Sequence, residues 1–177
     1  MRNKPRISIT LHPRGKNSLG EARQRLGYSA YHWGILISPK NPASGPHTHL
    51  DVTDSMYIDP ETGETKENWR FRERTDADPD LAFQILGRVF VGKATGSAVE
   101  ELRRRMGELP LPRKGVLDEN CVSWTRSGVN ELREVGILEK DFDVVAFMEV
   151  ALQFADECLT SGKGLGSILD YTARQKP

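Results

Sequence analysis

The chain is short of several things, and each shortage excludes a class of protein. Only two cysteines, Cys121 and Cys158, occur among 177 residues. That is too few for a disulfide framework, and neither a CxxC pair nor an HExxH sequence offers a recognisable metal site. The pattern suits a reducing, cytoplasmic setting, with a lone Cys121–Cys158 disulfide as the competing reading. No stretch approaches the roughly 20 apolar residues that span a bilayer, and the opening residues lack the basic start, apolar run and small-residue cleavage site of a secretory leader. The expectation is a soluble protein without an integral membrane segment. Charge of one sign is missing too: 25 basic and 25 acidic side chains cancel, which leaves no net-charge basis for binding nucleic acid. No internal repeat is visible. The glycines of "GKGLGS" lack the preceding strand and following acidic residue of a dinucleotide fingerprint, so no cofactor is expected.

What remains is a chain of 19.9 kDa with 37% apolar and 28% charged residues, enough for one domain that buries about two-thirds of its unfolded surface. Its first half reads as strands. "RISITLH" alternates at period two, "YHWGILIS" is the strongest strand, and "HTHLDVT" re-enters the sheet after the turn-rich "PKNPASGP". "PRGKNSLGEARQRLGYSA" reads as a mobile connection. "WRFRER", with Trp69, Phe71 and Glu73 on one side, and "LAFQILGRVFVGK", with a break near Gly87, add two strands. From Thr95 the period becomes helical: Val99, Leu102 and Met106 recur in "TGSAVEELRRRMGEL". A second helix starts near Asn120 in "NCVSWTRSGVNELREVG", and a third is "FDVVAFMEVALQFADECL". Strands followed by helices imply an α+β fold, a central antiparallel sheet packed by helices. One domain over residues 1–160 is expected, with 161–177 as a flexible tail.

Side chains two apart share a strand face, so His47, His49 and Asp51 project together, and His32 shares a face with Gly34 and Leu36. If the two strands pair antiparallel, His32 lies beside the His49 face. A thiol with an unperturbed pKa of about 8.5 must be ionised to act as a nucleophile. Cys121, in the first turn of a helix, meets unpaired N–H groups that favour negative charge. His32 is the candidate ion-pair partner, and His49 the candidate to orient it, with Asp51 replacing or assisting His49. His12 and His47 read as solvent-facing. "LRRRMG" reads as a solvated helix face rather than a phosphate patch, because Glu100, Glu101 and Glu108 surround it. A cysteine at such a position is more often core packing than catalysis, and Trp124, one turn on, suits both a groove and a core.

These segments also resemble a known family. "YHWGILIS", the following histidine strand and "NCVSWTRSGVNEL" are similar to the histidine and Asn-Cys boxes of the lecithin:retinol acyltransferase-like group, a circularly permuted branch of the papain-like cysteine enzymes. The resemblance covers roughly residues 28 to 136. It puts His32 in the position of the first motif histidine, His49 in that of the second and Cys121, after Asn120, in that of the nucleophile, in the permuted order His, His, Cys. Val122, Ser123 and Trp124 stand where that family has a glutamate, a histidine and an aromatic, so the resemblance implies a permuted papain-like fold and an acyl-transfer chemistry but no substrate. The chain also resembles small uncharacterised fungal proteins with the same "YHW…PK" strand.

The expected function is therefore a thiol-dependent hydrolase or acyltransferase working on an ester, thioester or amide through a Cys121 acyl-enzyme. His32 is the acid–base and His49 or Asp51 the orienting group, while Asn120 and Trp124 lie beside the substrate, a small molecule, acyl group or peptide. The chain ends in "DYTARQKP" without a hydrophobic anchor, so a soluble or partner-delivered substrate is expected. Two alternatives stay open: a noncatalytic module that keeps the cleft to bind a small molecule or a protein, and a metal site made by His32, His49 and Cys121.

Overall fold

The computed structural model describes residues 4–41, 44–162 and 164–173. Its eight strands are β1 (Arg6–Pro13), β2 (Tyr31–Ser38), β3 (His47–Thr53), β4 (Tyr57–Ile58), β5 (Thr65–Lys66), β6 (Arg70–Asp76), β7 (Gly87–Lys93) and β8 (Ser167–Asp170). Six of them form one sheet in the order β6-β3-β2-β1-β7-β8, and β4 pairs with β5 in a separate two-residue ladder. Every neighbour in the large sheet is antiparallel except β8, which runs parallel to β7. The helices are α1 (Gly20–Leu26), α2 (Pro79–Ala82), α3 (Gly96–Glu108), α4 (Cys121–Glu134) and α5 (Val144–Thr160). The fold is α+β with a central, mostly antiparallel sheet.

Register explains how this sheet acquires two unlike faces. Ile9 pairs with Ile35 and with Val89, and Ile35 pairs with Leu50. These side chains are fully buried and share a core with Trp124, Val129 and Leu132 of α4 and Phe147, Ala151 and Ala155 of α5. Contact is close: a Cβ built on Gly128 of α4 falls 2.7 Å from Ile35 Cδ1, and one on Gly87 falls 2.9 Å from Phe154 of α5. Each apolar side chain buried this way stabilises the fold by about 1.5–3 kcal/mol. On the opposite face His12 pairs with His32, Leu36 with His49, His49 with Arg74 and Asp51 with Arg72. That face is polar, yet Thr10, His49 and Asp51 are fully buried and His12 and His47 nearly so, because Phe83 in the segment after α2 lies against it, stacked on His49 at 5.1 Å.

The helix starts follow from their caps. Asp143 Oδ1 accepts from Ala146 N at 2.9 Å at the start of α5 and Thr95 Oγ1 from Ala98 N at 3.3 Å at the start of α3, each satisfying an amide that has no intrahelical partner. On α3, Arg103, Arg104 and Arg105 pair with Glu73, Glu100, Glu101, Glu108 and Glu131, so "LRRRMG" is an ion-paired surface.

Four expectations need correction. The connection after β1 contains α1, with 3₁₀ turns at Gly15–Ser18 and Gly27–Ala30 on either side. The strand expected over "LAFQILGRVFVGK" begins only at Gly87, since Asp78 and Pro79 open α2 instead, with the Asp78 side chain accepting from Leu81 N. His12 and His47 face the covered side of the sheet rather than solvent. Finally, the region expected to be a flexible tail carries β8, which is tied down by Gly166 N to Ile85 O (2.8 Å) and Tyr171 N to Phe90 O (3.0 Å), with Tyr171 in the core. Residues 163 and 174–177 of that region lie outside the described residues.

Gly34 is where β2 makes room for the polar face. A Cβ there meets His49 Nε2 at 2.6 Å and Leu50 O at 3.0 Å, a ring and a backbone oxygen that have no space to withdraw. Gly34→Ala is therefore expected to lower stability by about 1–3 kcal/mol in urea unfolding, as overpacked cores do; an unchanged midpoint contradicts this close seating of His49.

Candidate functional site

Cys121 opens α4, and the sequence around it accounts for that placement. Asn120 is the N-cap: its backbone is extended (φ −162°), its Oδ1 accepts from Val122 N at 2.8 Å, and its own N–H donates to Ser123 Oγ at 2.9 Å. Asn120 Nδ2 also donates to Ser29 Oγ at 3.3 Å, which ties the helix start to the turn that leads into β2. The asparagine before the cysteine thus fixes the thiol against the first residues of the histidine strand. At the first helical position, the peptide N–H of Cys121 has no intrahelical acceptor.

The β2–β3 ladder covers Ile35–Ile37 and Thr48–Leu50, so His32 and Asp51 lie beyond its last pair. There His32 Nε2 donates to Asp51 Oδ2 at 2.8 Å. With Nε2 committed to the carboxylate, Nδ1 is the ring nitrogen left to meet Cys121. Burial disfavours the imidazolium, but the hydrogen bonds to Asp51 and Cys121 outweigh it and raise His32 to about 9. His32 is accordingly charged at neutral pH. Its side chain is 23% exposed, whereas Cys121 is 4% exposed.

Asp51 is fully buried and is held by cations on three sides. Arg72 grips it with two bonds, Nε to Oδ1 at 2.8 Å and Nη2 to Oδ2 at 2.6 Å, and Arg74 Nη2 reaches Oδ2 at 3.2 Å. Burial alone pushes this carboxyl upward, but the hydrogen bonds from His32 and Arg72 and the nearby positive charges hold it well below the usual carboxylate range. It remains an anion throughout physiological pH.

His49 is in another network, which corrects its expected role as the group orienting His32. Arg74 Nη2 lies 3.3 Å from His49 Nδ1, His49 Nε2 lies 2.9 Å from Thr10 Oγ1, Thr10 Oγ1 lies 3.0 Å from His12 Nε2, and His12 Nδ1 lies 2.8 Å from Phe83 O. Burial keeps both rings neutral, lowering His12 to about 3 and His49 well below its ordinary value, with further depression from neighbouring positive groups. The donors then run in one direction. Arginine can only donate, so His49 Nδ1 accepts and its proton sits on Nε2; that proton goes to Thr10, the Thr10 hydroxyl goes to His12 Nε2, and His12 Nδ1–H ends on the Phe83 carbonyl. His49 approaches Asp51 Oδ2 only at 3.8 Å.

Of the expected site residues, Cys121, His32 and Asp51 meet, and Asn120 caps the helix beneath them. Trp124 is 2% exposed and packs its ring 5.8 Å from Phe71. Its edge borders a groove of about 350 Å³ with Pro110–Arg113, Glu119 and Ser123, and on the other side of the helix start Asn120, Val122, Ser29, Tyr28, Arg25 and Arg126 border one of about 460 Å³. The "PKNPASGP" connection is at the other end of the sheet, where Pro39 and Lys40 line a separate cavity; residues 42 and 43 lie outside the described residues. Arg72, Arg74 and His12 were not anticipated. The alternation of arginine in "RFRER", opposite that of "HTHLD", was the available signal. Cys121 and Cys158 are both buried and neither takes part in a disulfide. Among the described residues no group of three His, Cys, Asp or Glu is suited to a metal ion, and no helix is long and apolar enough to cross a membrane.

The molecule is thus an α+β protein with a cysteine, histidine and aspartate gathered where a helix start meets the splayed end of two strands. Residues 4–166 match a family of unknown function, DUF6914, and the chain belongs to it. No curated protein and no solved structure matches the chain.

The buried histidines set an acid limit on stability. Their folded-state pKa values are depressed, so the unfolded chain binds more protons, and the stability they allow is present above about 6.5 and lost as pH falls toward 3. His32 has the opposite sign: its contribution is full below 6.5 and is lost as pH rises through about 9. Urea midpoints against pH are expected to peak near neutrality, with a shallower acid limb in His12→Gln and a shallower alkaline limb in His32→Gln. Unchanged limbs in both variants contradict the assignments.

Proposed function

We propose that this protein is a thiol-dependent hydrolase or acyltransferase that acts on an ester, thioester or amide through a Cys121 acyl-enzyme. The observation that carries the reading is His32, near the start of β2, bonded at 2.8 Å to the buried Asp51, with the helix that Cys121 opens packed against the same strand. A cysteine nucleophile needs a positively charged neighbour and a group that holds that neighbour in one tautomer and orientation. The resemblance of "YHWGILIS" and "NCVSW" to a permuted papain-like enzyme agrees with this reading and extends it to the arrangement of the whole fold.

In the proposed reaction the Cys121 sulfur attacks the carbonyl carbon, and the C=O electron pair moves to oxygen. The N–H groups at the start of α4 face the resulting oxyanion. Collapse restores the carbonyl and breaks the bond to the amine, alcohol or thiol, which leaves with the proton carried on His32 Nδ1. Water or an acceptor alcohol or amine then attacks the thioester and gives its proton to His32, and Cys121 departs as thiolate. Asp51 keeps Nε2 protonated throughout, and Arg72 keeps Asp51 an anion.

A second reading, a noncatalytic module that binds a small molecule or protein in the same cleft, is favoured by the 4% exposure of Cys121. Alkylation separates the two. Cys158 is 3% exposed, so burial alone gives the two thiols similar, slow rates. At neutral pH iodoacetamide is expected to label Cys121 at least about tenfold faster than Cys158, by peptide mass, with the preference lost in His32→Gln. Equal rates in the native protein count against an activated thiol.

The roles also rank the variants. With p-nitrophenyl acetate as the probe, Cys121→Ala and His32→Gln are expected to abolish turnover, Asp51→Asn to lower it by about 10²–10⁴-fold, and His49→Gln to retain most of it. A larger loss in His49→Gln than in folded Asp51→Asn contradicts the assignment of Asp51.

A further inference from the structure

A cavity of about 550 Å³ lies away from the thiol, on the polar face of the same sheet. Its size falls within the few hundred to about 1,000 Å³ of small-molecule sites. It lies where the cover provided by Phe83 stops, and its floor is built of buried groups: Ser8, Ser38, His47 and Phe90 are each 3–8% exposed. His47 is fixed by a 2.9 Å bond from Nδ1 to Ser38 Oγ.

Charges of both signs surround this floor. Arg88 Nη2 is paired with Asp80 Oδ2 at 3.1 Å, and Asp78 Oδ1 accepts from Leu81 N at the start of α2. The remaining cations, Arg6 and Lys40, have no carboxylate within ion-pair distance among the described residues. Arg6 lies over the Phe90 ring, 4.1 Å from its centroid, which holds the guanidinium at the cavity wall. Arg6, Lys40 and Arg88 stand against Asp78 and Asp80 in the lining, and Asp170 of β8, beside Phe90, feels the charge of Arg6 from outside it.

We propose that this cavity is a second ligand site, separate from the thiol, that binds a compact metabolite carrying an oxyanion, phosphate or carboxylate, together with hydroxyl groups. Arg6 and Lys40 take the oxyanion. The Ser8 and Ser38 side chains suit neutral hydroxyls, which both donate and accept.

Three probes with a shared polyol distinguish the sources: glycerol 3-phosphate, glycerate and glycerol, titrated calorimetrically into the full chain at low salt. One of the two anions is expected to bind one to one with Kd of about 1 mM or tighter, and glycerol to show no saturation by about 50 mM. Whichever anion binds names the oxyanion. Lys40→Gln, at an exposed position, and Arg6→Gln are each expected to weaken it at least about tenfold, while Cys121→Ser leaves it unchanged. The proposal is overturned if neither anion saturates by about 50 mM, if glycerol binds as tightly as the anions, or if Lys40→Gln and the folded Arg6→Gln both keep the parental affinity.

Discussion

A carboxylate with no solvent exposure sets the terms for everything around it. Burying an unpaired charge costs several kcal/mol, and Asp51 avoids that cost only because Arg72 binds it in bidentate fashion while Arg74 and His32 share Oδ2. Those three cations in turn dictate which neighbouring groups stay uncharged. His49 and His12, next to Arg74 and His32, take their places as neutral rings in a chain of donors that terminates on a backbone carbonyl. A protonated ring there has no acid to meet it, since Asp51 is already occupied. One buried anion therefore sorts three neighbouring histidines into one charged and two neutral.

The two faces of the sheet divide the work, and α4 connects them. Its body lies on the apolar face, close enough that a methyl group on Gly128 meets Ile35, and this contact sets how far along β2 the helix extends. Its capped start, tied through Asn120 to Ser29, delivers Cys121 to the end of β2 where His32 stands. The apolar packing that stabilises the fold also aligns thiol with imidazole, so substitutions remote from the site that shift α4 along β2 act on the same pair. The polar face, covered only in part by Phe83, keeps an open region at the other end of β1 and β2.

Much of this was legible from spacing. Period-two alternation in "YHWGILIS" and "HTHLDVT" places His32, His49 and Asp51 on one face, and Asn-Cys before an apolar helical period marks a helix start. Alternation says which residues share a face but not whether that face is covered. The cover comes from Phe83, whose segment reads as strand until Asp78 and Pro79 turn it into α2, and so His12 and His47 read as exposed when they are buried. Choosing Asp51 over His49 needed the place where the β2–β3 ladder ends, which the long "PKNPASGP" connection leaves undetermined. Four residues after a run of glycines gave little sign of β8, whose pairing is with β7, about 80 residues earlier in the chain.

Asp51 and Cys121 together raise the His32 imidazole above its ordinary value, so that it is an imidazolium at neutral pH. Nitrogen-15 NMR of the imidazole rings reads this directly, since it distinguishes doubly protonated rings from either neutral tautomer. His32 is expected to stay doubly protonated through neutrality and to titrate near 9, with that midpoint falling in Asp51→Asn and in Cys121→Ala, while His12 and His49 remain neutral with their protons on Nδ1 and Nε2 respectively. A His32 ring that is neutral at pH 7.5, or whose titration is the same in all three proteins, contradicts it.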